Sequence, residues 1–326
     1  MNKSKILRIM IPIAAVALSF SMAPILDNDY WVSILIMIAL NILLTSSLRT
    51  IYILNEVSLG QVGFTLIGAY TSALLTLKIG LSFWMAMIIA GLSSALIAFL
   101  LGYPFLRLKG IYFSILTFMT AEILRLIAYS WRDVTGGQYG LSNIPAPASI
   151  SLPIVGEISF HSMANYYYLT LVIVIISLFF LYGLEHSHLN RKWRAIRDAD
   201  NLALSVGINI MWYKVINFTI ASFFAGIAGA LFAHYQRGLS VDVTSRFGVM
   251  MSLYLVILMV IGGKDRFTGP IIGAVVVELI SEFSRPLDEY RPMLIGALAI
   301  VVMLVIPQGI VGIPSFIRGW IGKKKR

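Results

Sequence analysis

Apolar stretches of membrane-crossing length follow one another along the chain, separated by short clusters of charge, Pro or Gly. A helix needs about 20 mostly apolar residues to cross a bilayer, and that ruler yields ten candidates. Seven are clear: residues 6–26, 31–48, 81–101, 111–129, 166–184, 213–234 and 293–311. Three are weaker, since 63–80 is rich in Gly, Ser and Thr, 247–262 is short, and 270–284 carries Glu278 and Glu282. Such segments suit helices that line a polar path or stop part-way across, and equally suit short tilted helices packed by small residues.

Composition agrees with a lipid setting. Of 326 residues 59% are apolar and 12% charged, with mean hydropathy +0.87, whereas a soluble domain carries about 25% charge. So few charges could not cover a water-soluble domain of this length, and soluble catalysis or nucleic-acid binding is set aside. Lys and Arg mark the cytoplasmic loops of a membrane protein. With the N-terminus inside, 18 of the 25 fall on that side, 6 outside, and Arg125 alone falls within a span. The expected fold is an all-α polytopic membrane protein of about ten transmembrane helices, with both termini cytoplasmic and one transmembrane domain over residues 1–326. The first run also has the basic start and small residues of a signal peptide, but its continuation to Leu26 favours an uncleaved helix. The basic tail 323–326 reads as an anchor against anionic headgroups.

The chain carries no visible engine. It has no phosphate-cradling loop, since Gly262-Gly263-Lys264 is followed by Asp265. No cofactor or metal is expected on the chain: there is no Cys, the four histidines are scattered, and His186 and His188 read as ordinary polar residues. Either an ion gradient or a partner ATPase must drive any transport.

Residues 185–209 form the longest inner segment. Trp193, Ile196, Ala199, Ala203 and Val206 recur at helical spacing, with Arg194, Arg197, Asp198 and Asn201 largely opposite, and Gly207 stands where a helix ends. One amphipathic helix is expected, a knob for another protein or a helix lying in the headgroup layer. Outside, residues 130–165 form the longest loop, in which Ile150, Leu152 and Ile154 alternate, Gly156-Glu157 can turn, and Ile158 and Phe160 return as a hairpin.

The stretch Arg194-Ala-Ile-Arg-Asp-Ala-Asp-Asn-Leu-Ala-Leu-Ser-Val-Gly-Ile-Asn209, with Phe223-Phe-Ala-Gly-Ile-Ala-Gly-Ala-Leu231, resembles the coupling region of LivM-type permeases of branched-chain amino-acid ABC importers. Leu106-Arg-Leu-Lys-Gly-Ile-Tyr-Phe113, Thr135-Gly-Gly-Gln-Tyr-Gly-Leu-Ser142 and Gly262-Gly-Lys-Asp-Arg-Phe-Thr-Gly-Pro270 also look like that family, in its order. The resemblance implies a non-enzymatic permease in the cell inner membrane, working by alternating access. It implies a second, LivH-type permease, two cytosolic ATPases of the LivG and LivF kind that hold ATP and Mg, and an extracytoplasmic amino-acid-binding protein. On that likeness Ala203 and Gly207 match the coupling motif, flanked by Arg194 and Arg197, with Leu202 where many members have Ala.

Other residues carry open alternatives. Glu122 and Arg125, three apart in one span, either line a path for a zwitterion or form an internal ion pair, with Arg125 snorkelling outward. Thr135, Gly136 and Gly137 belong to a loop that either docks the binding protein or seals helix ends. Gly60, Gly63, Gly68 and Gly273 read as close-packing positions. Glu56 and the Glu278/Glu282 pair could bind cations or protons, but read as solvated charges near an exit. Rival functions are a proton-coupled secondary transporter, a permease of the same family for urea or short amides, and an intramembrane enzyme, for which no convergent acid, base or nucleophile set is found.

Overall fold

A computed structural model describes residues 28–152, 156–242 and 245–313. The first candidate span and the basic tail lie outside the described residues. Within them, nine helices of 14 residues or more coincide with the other nine candidates: α1 (Asp29–Tyr52), α2 (Gln61–Lys78), α3 (Phe83–Phe105), α4 (Ile111–Ser130), α6 (Met163–Glu185), α9 (Ile210–Gln236), α10 (Val249–Gly262), α11 (Gly269–Phe283) and α12 (Arg291–Val305). One-turn α5 (Arg132–Thr135) follows α4, and α7 (His188–Asp198) and α8 (Asp200–Ser205) fill the long inner segment. Among the described residues, six helices are long and apolar enough to cross a membrane: α1, α3, α4, α6, α9 and α12 with its terminal 3-10 turn. The chain is therefore a polytopic membrane protein. The three sequence-weak segments are α2, α10 and α11.

Burial explains the arrangement. In α1 and α9, 72% of the most apolar window is buried, against 28% in α4. Both inner helices carry polar groups that would be costly against lipid: Asn41, Thr45, Ser46 and Thr50 in α1, and Asn217, Ser222 and His234 in α9. The helices around them turn Leu, Ile, Met and Phe outward, as at Leu96 and Leu100 of α3 and Ile123 and Leu126 of α4. Asn28, Ser162 and Asn209 begin α1, α6 and α9 by accepting backbone N–H bonds from Tyr30, Asn165 and Trp212.

Small residues set the spacing. A Cβ at Gly68 would stand 2.2 Å from Gly226 O, and one at Gly229 would stand 2.0 Å from Thr65 O, so α2 and α9 touch through bare backbone. A Cβ at Gly60 or Gly63 would collide with α4 at Thr117 O or Ala121 Cα, and one at Gly273 would lie 2.0 Å from Leu258 O of α10.

Strands occur at one end of the bundle. β1 (Leu141–Ser142) pairs antiparallel with β4 (Gly238–Leu239), an association not visible in local pattern. β2 (Ile150–Leu152) pairs with β3 (Gly156–Ile158), Ile150 opposite Ile158. The expected hairpin pairing is present, with one correction: Gly156 and Glu157, expected to turn the chain, belong to β3, and residues 153–155 lie outside the described residues.

Candidate functional site

At the bundle end that carries most of the basic residues, the segment expected as one helix is two. Ala199 takes an extended conformation, φ −160°, and separates α7 from α8. The resulting bend turns Trp193, Ile196 and Ala203 together against Ile53 and Leu54 beyond α1. Trp193 Nε1 also donates to Tyr213 O at 2.9 Å. Val206, expected on the same face, is instead 74% exposed, because the break at Ala199 changes the phase of the repeat. Gly207 ends α8 at φ +79°: its N–H reaches Leu204 O and that of Ile208 reaches Ala203 O, the paired bonds of a Schellman cap. Ala203 is thus turned inward, while Leu202, Leu204 and Val206 stand out as an apolar tip.

This tip is tied to the helices by charge. Arg49 of α1 makes two 2.9 Å bonds to Glu185 at the end of α6, and Glu185 also faces Arg194 of α7 at 3.5 Å. Arg49 donates further to Lys264 O, so the α10–α11 turn joins the knot. Glu56 lies buried between Lys214, at 3.5 Å, and the Gly110 N–H, at 3.0 Å, rather than solvated at an exit. Lys109 donates to Asp200, linking the α3–α4 turn to α8. Its ammonium pKa is raised by that hydrogen bond and by the nearby Asp200 charge. Arg197 is exposed.

Two further charge sets lie in the bundle. Arg125 Nε bonds Glu122 at 2.9 Å, and Arg125 Nη1 donates to Val241 O at 2.7 Å. Arg125 is 5% exposed and points inward to that carbonyl, which corrects the expectation of outward snorkelling. Glu278 and Glu282 are not a like-charge pair near an exit. Glu278 accepts from Asn41 Nδ2 at 3.0 Å and Tyr254 Oη at 2.6 Å and faces Arg246, while Glu282 meets Tyr30 and Arg285.

At the opposite end, Thr135 Oγ1 lies within donating distance of Ala128 O and Trp131 O, closing the end of α4. Gly136, Gly137 and Gly140 all have positive φ. A Cβ at Gly140 would stand 1.8 Å from Leu239 O, so this corner fits closely against β4. Tyr139 projects from it, almost fully exposed.

Residues 30–306 match the family described as branched-chain amino acid transport system, permease component. The chain belongs to that family. It is 35% identical over 269 residues to the high-affinity branched-chain amino acid transport system permease protein LivM of Salmonella typhimurium and 34% identical to that of Escherichia coli. Each match covers 77% of this chain and 63% of the relative, so the chain spans under two thirds of their length. The LivH permease of Escherichia coli is 27% identical over 134 residues, 40% of this chain and 42% of that protein. No solved structure matches.

Against this family background, the structure brings Arg194 and Ala203 into one assembly with Arg49, Glu185 and Trp193, and leaves Gly207 at its tip. Arg49 and Glu185, 136 residues apart, carry no local signal of their pairing in the sequence. Arg246 with Glu278 was likewise missed as a pair.

Proposed function

We propose that this chain is a permease subunit of an ABC importer for branched-chain amino acids. It works by alternating access beside a LivH-type permease. Two cytosolic LivG- and LivF-type ATPases, holding ATP and Mg, drive it, and an extracytoplasmic binding protein supplies the solute. The basic end faces the cytoplasm, ten spans place both termini there, and the membrane is the cell inner membrane. The observation that carries this reading is the exposed Leu202, Leu204 and Val206 tip, held by Gly207 on a buried Trp193, Ile196 and Ala203 base. An apolar tip at the cytoplasmic face fits a groove of an ATPase, and the Arg194–Glu185–Arg49 chain connects it to α6 and α1. The Thr135–Gly137 corner, with exposed Tyr139 beside it, supports docking of the binding protein at the other face. Motive force comes from the ATPases, so the chain itself is not an enzyme.

The test is co-purification in mild detergent followed by leucine uptake in proteoliposomes. Two ATPases and a second permease should co-purify, and uptake should require ATP on the ATPase side. Uptake by this chain alone, driven by a proton gradient, would replace the reading with secondary transport.

A further inference from the structure

Arg246 and Glu278 face one another across 3.7 Å, too far for a direct hydrogen bond. Arg246 Nη1 donates to Asn41 Oδ1 at 3.2 Å, while Glu278 Oε2 accepts from both Asn41 and Tyr254. Three helices and a loop therefore converge on one cation and one anion. The pair is not closed as Glu122 and Arg125 are, where bonds of 2.9 Å and the Val241 carbonyl occupy the guanidinium. Nor is it a surface pair like Glu282 with Arg285, whose Arg side chain is 61% exposed.

Its depth is unusual. Asn41 lies at the midpoint of α1 (Asp29–Tyr52). The turn of residues 245–248 meets the same depth, since Arg246 touches Asn41 and Phe247 lines a cavity with Leu40 and Leu44. Helix α10 starts only after that turn, and its 14 residues rise about 21 Å, short of the roughly 30 Å hydrocarbon layer. Non-helical backbone at membrane depth is tolerated where protein or a polar cavity receives it. A helix that begins there also directs its positive end inward, an arrangement that favours an anionic group.

A cavity of about 10 Å³, room for roughly one water, reaches Arg246 of the pair and is otherwise walled by Leu40, Leu44, Thr65, Phe232, Phe247 and Met251 among others. Its walls are mostly aliphatic or aromatic, with Arg246 at one side.

We propose that Arg246 and Glu278 form a transit site for a zwitterionic amino acid, the ligand carboxylate on Arg246, its ammonium on Glu278, and its aliphatic side chain against Leu40, Leu44, Phe247 and Met251. The exchange conserves charge: one loose ion pair opens and two ligand pairs form. As the pair stands, the two charges neutralise each other and the cavity is too small for a side chain, so the site must widen to take its ligand. A lone cation is disfavoured by Arg246, and a lone anion by Glu278. The inference rests on the importer reading for its ligand class.

The chain contains no Cys, so Met251→Cys places a single thiol in the cavity wall. In the assembled complex, a hydrophilic thiol reagent should label this chain in at least one nucleotide state. Leucine should slow labelling, whereas leucinamide, without the carboxylate, and 4-methylpentanoate, without the ammonium, should not. Absence of labelling in every state, or equal protection by the single-charge analogues, overturns the site. In proteoliposomes, Arg246→Met with Glu278→Met should lower leucine uptake about ten-fold or more, the loss expected when charged hydrogen bonds to a ligand are removed. Uptake within two-fold of wild type would make the pair structural. If that double variant does not assemble, Glu278→Gln, which retains a shape able to meet Asn41 and Tyr254, carries the same comparison. Should the wild-type complex take up no leucine while leucine still protects the introduced thiol, the importer reading fails and the site stands.

Discussion

Arg49 and Glu185, from the ends of two different helices, meet through two 2.9 Å hydrogen bonds with their side chains only 6% and 11% exposed. The fork of the guanidinium matches both carboxylate oxygens, and two carbonyls of the α10–α11 turn, Lys264 O and Asp265 O, receive two of its three other donors. Four parts of the basic end, α1, α6, the α10–α11 turn and α7 through Arg194, are thereby fixed to one another. Motion of α7 that carries Arg194 with it acts on this knot.

Glu185→Ala should destabilise the protein by about 3–5 kcal/mol, since it strands Arg49 as a buried unpaired charge. Arg49→Lys should recover little, because an ammonium cannot supply the fork. Arg194→Ala, whose side chain is 58% exposed, should cost at most about 1 kcal/mol. Thermal unfolding in detergent ranks the three, and an Arg194→Ala effect equal to that of Glu185→Ala would refute the assignment of Arg49 as the principal partner.

Gly207 needs its left-handed backbone rather than its small volume, for nothing lies within 4 Å of a Cβ built there. Gly207→Asn should therefore retain most ATP-dependent uptake, while Gly207→Val should lose it by uncapping α8, a conformational cost of about 1–2 kcal/mol. Equal loss in both would mean that the tip contact itself excludes any side chain.

The spans were legible because lipid imposes a simple rule, about 20 apolar residues per crossing, and even the weak segments 63–80, 247–262 and 270–284 correspond to α2, α10 and α11. Legibility ended where contacts join distant residues. Asn41 with Glu278, Arg49 with Glu185 and Leu141 with Leu239 have no signature in spacing. The bend at Ala199 also escaped notice, since Arg191–Val206 keeps a helical period through a residue whose backbone is extended. Tertiary burial of Trp193 and Ile196 overrode local continuity.

Substitutions at glycines should separate close contacts from open positions. Gly68→Ala puts a methyl 2.2 Å from Gly226 O and should part α2 from α9, lowering Tm sharply or preventing assembly. Gly183→Ala meets nothing within 4 Å in the last turn of α6 and should be neutral or slightly stabilising, by less than the roughly 1 kcal/mol of a helix interior. Thermal melts of the two variants beside wild type provide the comparison.

The Lys109–Asp200 contact has a defined pH window. A lysine pKa raised in the folded state contributes stability that is fully present below the ordinary value of 10.5 and disappears as pH climbs through the raised one. Between pH 6 and 9 its contribution should stay constant. With Lys109 68% exposed, that contribution is small, so the Tm difference between Lys109→Gln and wild type should be slight and flat over this range. A difference that grows between pH 6 and 9 would implicate another group.

Exchanging the charges of Glu122 and Arg125 should not restore the protein. A simple ion pair tolerates reversal, but Arg125 also donates to Val241 O, beyond β4, while Glu122 stays near the helix surface. Carboxylate at position 125 would face that carbonyl with no proton to offer, so the swap leaves a buried acceptor unpaired at a cost of about 1–3 kcal/mol. Glu122→Gln should be milder, since the guanidinium keeps both its carbonyl contact and an amide oxygen as acceptor. Yield and Tm of the three forms test the argument. Full recovery of yield and Tm in the swapped form would show that the Val241 bond is dispensable and that Glu122 and Arg125 act as a simple ion pair.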